Sequence, residues 1–434
     1  MIGSGIAGMG AAYALSKQYD VTLYEAADRF GGHANTVNAT VNGREIAVDT
    51  GFIVYNYRNY PNLTGLFEHL GVPTKWSDMS FGLSVNEGAL EYACDNLDQI
   101  FAQRLNALNP RMLRGLLQIL RFNKIAPEQM DSGALDGLSL REWIAQEGFN
   151  SWFRDCFVLP FGGAIWSTPT SDILDFPAKN FVMFFRNHDL MTGMQPMQRW
   201  RTVDGGSREY VSRLIAALGT RAVKNTPVKA VTRRGGLPVV HFENGDEKVF
   251  DQVVLATHGP QANALLSDAD TEERSILSVF QTADNRAVLH SDPALMPKRR
   301  KVWSSWNFLS GGAQADAGRP APVTYWMNRL QTVDRDYPLF VSLNPGTEPD
   351  PALVHQEFNY AHPLYNDATF KAQSEIDAIQ GRGGVWYAGA WLGYGFHEDG
   401  LRAGLRVASS LGAAPAWAKD LPAPISAPLP QAAQ

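Results

Sequence analysis

The chain has 434 residues, 45% of them hydrophobic and 11% aromatic, and a formal net charge of −6. That is enough apolar material for a large core in two or three domains, and it lacks the basic field that drives non-specific nucleic-acid binding, so nucleic acid is excluded as a partner. Two cysteines, Cys94 and Cys156, are too few for a disulfide framework and have no metal-site spacing, which fits a reducing cytosol. No secretory signal is expected, and no stretch offers the roughly 18 uninterrupted apolar residues of a spanning helix.

In chain order, the turn Gly3-Ser4-Gly5-Ile6-Ala7-Gly8 leads into small and apolar residues at helical spacing from Met9 to Ser16. A β-branched and aromatic run from Val21 to Tyr24 then ends in Glu25. Glycine turn, helix, strand and acid, in that order, make the second half of a βαβ unit. Val37 to Val48 alternates around Asn42-Gly43, a hairpin signal. From about 62 to 187 the pattern is largely helical, with breaks expected at Pro110, Pro127, Pro160 and Pro169. Thr202 to Leu218 reads as a strand end, a Gly205-Gly206 turn and a helix, and Val228 to Phe250 as a β meander. Buried strands are expected at Val253 to Thr257 and Val385 to Gly389, strands of a second sheet near Arg286, Val323 and Leu339, and a last helix from Glu398 to Leu411.

Nucleotide-binding elements therefore recur at the start, middle and end, which predicts two interleaved domains. Residues 1–75, 200–262 and 380–412 form one, residues 76–199 and 263–379 the other, and the Ala- and Pro-rich 413–434 is expected to be a disordered tail. A parallel sheet of this kind needs a strand before the first glycine. Only Met1 and Ile2 stand there, so the first strand is expected to be missing.

The chemistry of the opening turn is that of a dinucleotide site. Gly3, Gly5 and Gly8 let backbone approach a pyrophosphate, the following helix N-terminus favours negative charge, and Glu25 at the strand end can accept from ribose hydroxyls. Just after the acid stands Glu25-Ala26-Ala27-Asp28-Arg29-Phe30-Gly31-Gly32-His33, and further on Asp49-Thr50-Gly51-Phe52, the Gly205-Gly206 turn, and Gly389-Ala390-Trp391 followed by Gly395-Phe396-His397-Glu398-Asp399-Gly400-Leu401. In these segments the sequence resembles the flavin-containing amine oxidase superfamily.

The resemblance implies non-covalent FAD and a Rossmann-like FAD-binding domain of the glutathione-reductase type, interleaved with an α+β substrate domain in an α/β protein. The cofactor residues it implies are Gly3, Ser4, Gly5, Ile6, Ala7, Gly8, Glu25, Ala26, Arg29, Gly31, Gly32, His33, Gly51, Phe52, Val228, Gly389, Ala390, Gly395, His397, Glu398, Asp399, Gly400 and Leu401. Two departures stand out. Relatives place an acid where this chain has Ala390, and many amine oxidases have Arg where it has His33. Neither cysteine lies in the segment where covalently flavinylated relatives carry their attachment residue, so dissociable FAD is expected.

No second glycine-rich nucleotide turn is found, so the substrate itself should supply the hydride. Trp391 and Tyr394 flank the flavin motif and are expected at the substrate, as are Trp166, Trp306 and Tyr325. No catalytic base and no metal ligand can be named. His33, His258, His362 and His397 are candidate acid/base groups, with His258 and His362 read first as hydrogen-bonded structural histidines.

From Phe101 to Pro127 no acid occurs, while Arg104, Arg111, Arg114, Arg121 and Lys124 alternate with leucines, a basic amphipathic pattern. It is read first as helices packed within the protein, with peripheral contact to the inner membrane face as the alternative. Gly31 to Val37, Trp303 to Asn307 and Gly393 to Gly400 resemble a bacterial branch similar to the flavoprotein domain of plant cyclopropane-fatty-acyl-phospholipid synthases. This implies an FAD-dependent oxidoreductase acting on a fatty-acyl chain or phospholipid. A small-amine oxidase, or a structural flavoprotein assisting a lipid-modifying methyltransferase, are the rivals.

Overall fold

The computed structural model describes residues 1–167, 169–188, 190–191, 199–311 and 318–425. Around the glycine turn lies a parallel layer drawn from distant parts of the chain. Leu23–Tyr24 pairs with Ala222–Val223, and Val253–Leu255 pairs with Val385–Tyr387, all parallel. Ile2 bridges the two pairs through Tyr24 and Leu255. Its N–H donates to Val254 O at 2.9 Å, and its carbonyl accepts from Ala256 N at 2.8 Å. The lane expected to lack a strand is thus occupied by Met1 and Ile2, with two residues making the contacts. Gly3 follows at φ +100°, and a Cβ there would lie 2.6 Å from Ala256 O, so only glycine lets the chain leave this lane.

The helices Ile6–Leu15 and His397–Ser410 pack side by side over this layer, close enough that a Cβ on Gly404 would come 2.2 Å from Ala7 O. The hairpin turns at Asn42-Gly43, both with positive φ, between Thr36–Val41 and Arg44–Asp49. Asp49 ties it to the helix Arg208–Leu218, accepting from Ser207 N at 2.9 Å and Ser207 Oγ at 2.7 Å.

A second, seven-stranded sheet runs in the order 354–363, 282–290, 340–343, 323–326, 306–310, 81–85, 90–93. It is antiparallel except where Trp306–Ser310 meets Phe81–Val85. Helices between 97 and 187 share a core with it built on Phe122, Trp143, Phe153, Phe181 and Phe185.

Three expectations are corrected. The segment 62–187, expected to be largely helical, is so from 97 on but holds strands at 74–77, 81–85 and 90–93 before that. Pro110 opens the helix Pro110–Asp131 rather than breaking it, since a first-turn residue needs no N–H, and Pro127 lies inside that helix. The tail is not disordered from 413: Lys419 N donates to Asn62 Oδ1 at 2.8 Å, Ile425 N to Ser410 Oγ at 2.9 Å, and the Trp417 ring lies on His69. Residues 426–434 lie outside the described residues. No helix among the described residues is long and apolar enough to cross a membrane.

Candidate active site

The first helix begins inside the glycine turn, so its free N–H groups face the same space as residues 3–7. A Cβ on Gly5 would meet nothing within 4 Å, because this position opens on a cavity of about 1120 Å³. Glu25 braces the turn, one carboxylate oxygen accepting from Ser4 N at 3.0 Å and Ser4 Oγ at 2.5 Å, the other from Ala27 N at 2.9 Å. The second glycine pair docks onto the first, with Gly31 N donating to Ser4 O at 3.1 Å. Phe52 N in turn donates to His33 O at 2.8 Å, and a Cβ on Gly51 would lie 2.2 Å from that oxygen.

Four imidazoles gather here. The His33 ring lies 5.5 Å from both His258 and His362 and 5.0 Å from Tyr360. His397 stacks on Phe52 at 3.8 Å and meets Tyr210 Oη through Nε2 at 2.7 Å. Burial holds all four below the usual histidine range, His362 at about 4 and His397 at about 3, and the neighbouring imidazoles add to the lowering that burial imposes on His33. They are neutral at pH 7.

Most of the expected cofactor residues line the cavity: Gly3, Ser4, Gly5, Ile6, Ala7, Glu25, Ala26, Gly32, His33, Gly51, Phe52, Val228, Gly389, Ala390, Gly395, His397 and Gly400. Six do not. Gly8 and Gly31 stand behind the turns, and Arg29 is exposed off the cavity wall. Leu401 packs across Gly10, because the two helices cross there. Asp399 folds back to accept from Tyr394 N and Phe396 N, each at 3.0 Å. Glu398 turns to Asn62 and Leu63.

The five expected substrate residues all reach the cavity. Trp391 does so with its indole N–H donating to Thr257 O at 2.9 Å and its ring on Phe280, so it shapes the wall rather than offering a donor. Trp306 and Tyr325 form a perpendicular pair at 5.1 Å.

Sequence reasoning missed Tyr360, which bonds Thr50 Oγ1 at 2.7 Å and Asn35 Nδ2 at 2.9 Å, and it favoured a structural role for the candidates His258 and His362, which line the cavity. The signal was present: Phe358, Tyr360 and His362 alternate along one strand and so share a face. It also missed that Leu116, Ile119, Leu120 and Asn123 line the far end of the cavity.

A dinucleotide cofactor fits what is present. The N-termini of two helices, Ile6–Leu15 and His397–Ser410, open on one cavity and present positive dipole ends there. His33 Nε2, Trp306 Nε1, Tyr365 Oη and Asn123 Oδ1 are buried along it without a hydrogen-bond partner among the described residues, a costly arrangement that a ligand relieves. No cluster of metal ligands occurs among the described residues.

These features define the class: an α/β protein in which two helix N-termini open on one large, mainly apolar cavity of a kind that suits a dinucleotide. The chain belongs to the flavin-containing amine oxidoreductase family, whose model matches residues 6–315, and it is an FAD-dependent oxidoreductase.

Its fold is similar to that of wild-type putrescine oxidase bound to putrescine, at 16% identity over 95% of this chain and 98% of that one, with a TM-score of 0.66. It is equally similar to the CLA-producing fatty acid isomerase from P. acnes, at 16% identity over 94% and 97%, with a TM-score of 0.67. Cyclohexylamine oxidase from Brevibacterium oxydans matches at 15% identity over 94% and 97%, also with a TM-score of 0.67. At these identities the likeness is one of fold. No curated protein sequence matches the chain.

Proposed function

We propose that this enzyme binds FAD without a covalent link and removes hydride from a fatty-acyl chain, free or on phospholipid, in a desaturation or isomerisation. In this reading the 3–8 turn holds the pyrophosphate, Glu25 the ribose hydroxyls, Val228 the adenine side, and residues 389–400 the flavin end. When bound, FAD supplies a hydride acceptor at N5.

The carrying observation is the shape and lining of the cavity. It runs from the glycine turn to the helix Pro110–Asp131, and its far half is walled by Phe101, Leu116, Ile119, Leu120, Phe157 and Phe161. A hydrocarbon chain fits such a wall, and the wall excludes water from the reacting carbon. Loss of hydride from one acyl carbon and a proton from the next leaves a double bond. A neutral imidazole is the group able to hold that proton, and His33 keeps Nε2 without a partner on the cavity wall. The fold likeness to a fatty acid isomerase supports this reading. A small amine is the rival, supported by the amine oxidases of the same fold and by the Trp306–Tyr325 pair, whose ring faces suit a cation.

Anaerobic mixing decides between them. Bleaching of the flavin by fatty acids or phospholipid, and not by amines, is the expected result. Bleaching by amines alone overturns the acyl reading, and no bleaching by either class, with the double bonds of the recovered fatty acid unchanged, favours a structural flavin.

A further inference from the structure

The helix Pro110–Asp131 has two apolar faces, and the protein covers only one. Met112, Gly115, Phe122, Ala126 and Met130 are buried inward. Leu113, Leu117 and Leu120, at i, i+4 and i+7, form an outward stripe, with Leu117 64% and Leu120 62% exposed. The turns just before it add Leu105 at 83% and Leu108 at 80%. Six of the ten large hydrophobic residues that stand exposed among the described residues fall between 97 and 120, so this is a patch and not scatter.

Its charge is positive on balance: between 97 and 124 the five basic residues Arg104, Arg111, Arg114, Arg121 and Lys124 stand against one acid, Asp98. Arg111, Arg114 and Lys124 are exposed beside the leucines and make no ion pair with any described residue. Arg104 and Arg121 pair with Asp98 and Glu147, acids from outside the 101–127 stretch. The patch is also continuous with the active-site cavity. Leu97 and Leu120 are both more than half exposed and part of its wall, so they sit at a mouth.

From this we infer that the 97–124 face docks on a bilayer bearing anionic phospholipid, with the leucines among the acyl chains, the unpaired basic residues at the headgroups, and the cavity mouth opening into the hydrocarbon. A leucine stripe flanked by arginine and lysine has the make-up of an interfacial helix, and its basic flank complements anionic headgroups rather than a neutral surface. The inference does not rest on the acyl reading, because docking is measured without turnover.

The test is flotation of the FAD-loaded protein with phosphatidylcholine vesicles, with and without phosphatidylglycerol. Binding is expected only with phosphatidylglycerol, and added salt should weaken it. Replacing Arg111, Arg114 or Lys124 by Gln should lower the partition coefficient about fivefold per residue. A combined Leu105→Ser, Leu108→Ser and Leu117→Ser variant should lose at least tenfold, with its melting temperature and flavin spectrum unchanged because these side chains face outward. Equal binding to both vesicle types, or leucine variants that bind as well as the parent, would overturn the inference. So would self-association that the leucine variants abolish in a protein that ignores vesicles, since the face would then meet a second copy.

Discussion

The carboxylate of Glu398, in the first turn of the last helix, caps the helix Pro61–Leu70: it accepts from Asn62 N at 2.9 Å, Asn62 Nδ2 at 2.7 Å and Leu63 N at 2.9 Å. Three buried donors depend on one side chain. Glu398→Ala leaves them unsatisfied and is expected to cost about 3 kcal/mol, seen as a lower melting temperature, while FAD still binds. If Glu398→Ala lost FAD at unchanged stability, the side chain would be a cofactor ligand after all.

Glu25 and Ser4 are joined by two hydrogen bonds within the glycine turn, so they are expected to act together on cofactor affinity. Glu25→Ala should weaken FAD binding by about 2 kcal/mol, the worth of hydrogen bonds to a charged group, and Ser4→Ala by less. Flavin titration followed by fluorescence measures both, and an unchanged affinity in Glu25→Ala would refute the assignment.

Gly5 has extended backbone and open space where a side chain would begin, whereas Gly404 has a carbonyl there. Gly5→Val should therefore keep the apoprotein's melting temperature and lose FAD. Gly404→Val should lower the melting temperature itself, as overpacking does, by about 2 kcal/mol or more. The reverse outcome would place the cofactor elsewhere.

Acid should destabilise the protein through its buried histidines. An unfolded imidazole takes up its proton near 6.5, but His362 in the fold does so only at about 4 and His397 only at about 3. As pH falls through that window the unfolded state is protonated first, and stability falls by about 1.4 kcal/mol per pH unit for each such group. Asp49, which burial raises to about 6, acts in the opposite sense, as do Asp95, Glu398 and Asp399, which burial also raises; the decline is what remains after these carboxyls have offset part of it. Thermal melts between pH 7 and 4.5 should show the decline, and His362→Asn should flatten it. A melting temperature that is level across the range would contradict the neutral cluster.

Ile119 stands on the cavity wall, on the helix that lines its far end. Ile119→Trp should raise KM for long acyl chains while leaving short ones nearly unaffected. An equal effect on both would argue against a chain lying along this wall.

Where chemistry depends on neighbours in sequence, it was legible without the structure. The spacing of Gly3, Gly5 and Gly8, the acid at Glu25 and the Gly31-Gly32 pair each describe a backbone shape that a few consecutive residues impose on themselves. The alternation around Asn42-Gly43 and the helical period before Ser16 belong to the same kind.

Side-chain direction at a helix end was not legible: His397, Glu398, Asp399 and Leu401 follow one another, yet the first faces the cavity, the second another helix, the third its own loop and the last a glycine. A helix rotates 100° per residue, so what each meets depends on packing partners far away.

By itself, then, the sequence determined the glycine cradle and its acid, and with them the FAD-binding class. Tertiary structure alone decided that His33, His258 and His362, separated by hundreds of residues, share one dry corner, and that the amphipathic 110–131 stretch is both a cavity wall and an exposed leucine face. Burial is the physical reason. It lowers the histidines' proton affinity and gives the helix its two faces, and it exists only once strands such as 354–363 and 282–290 have paired across the chain.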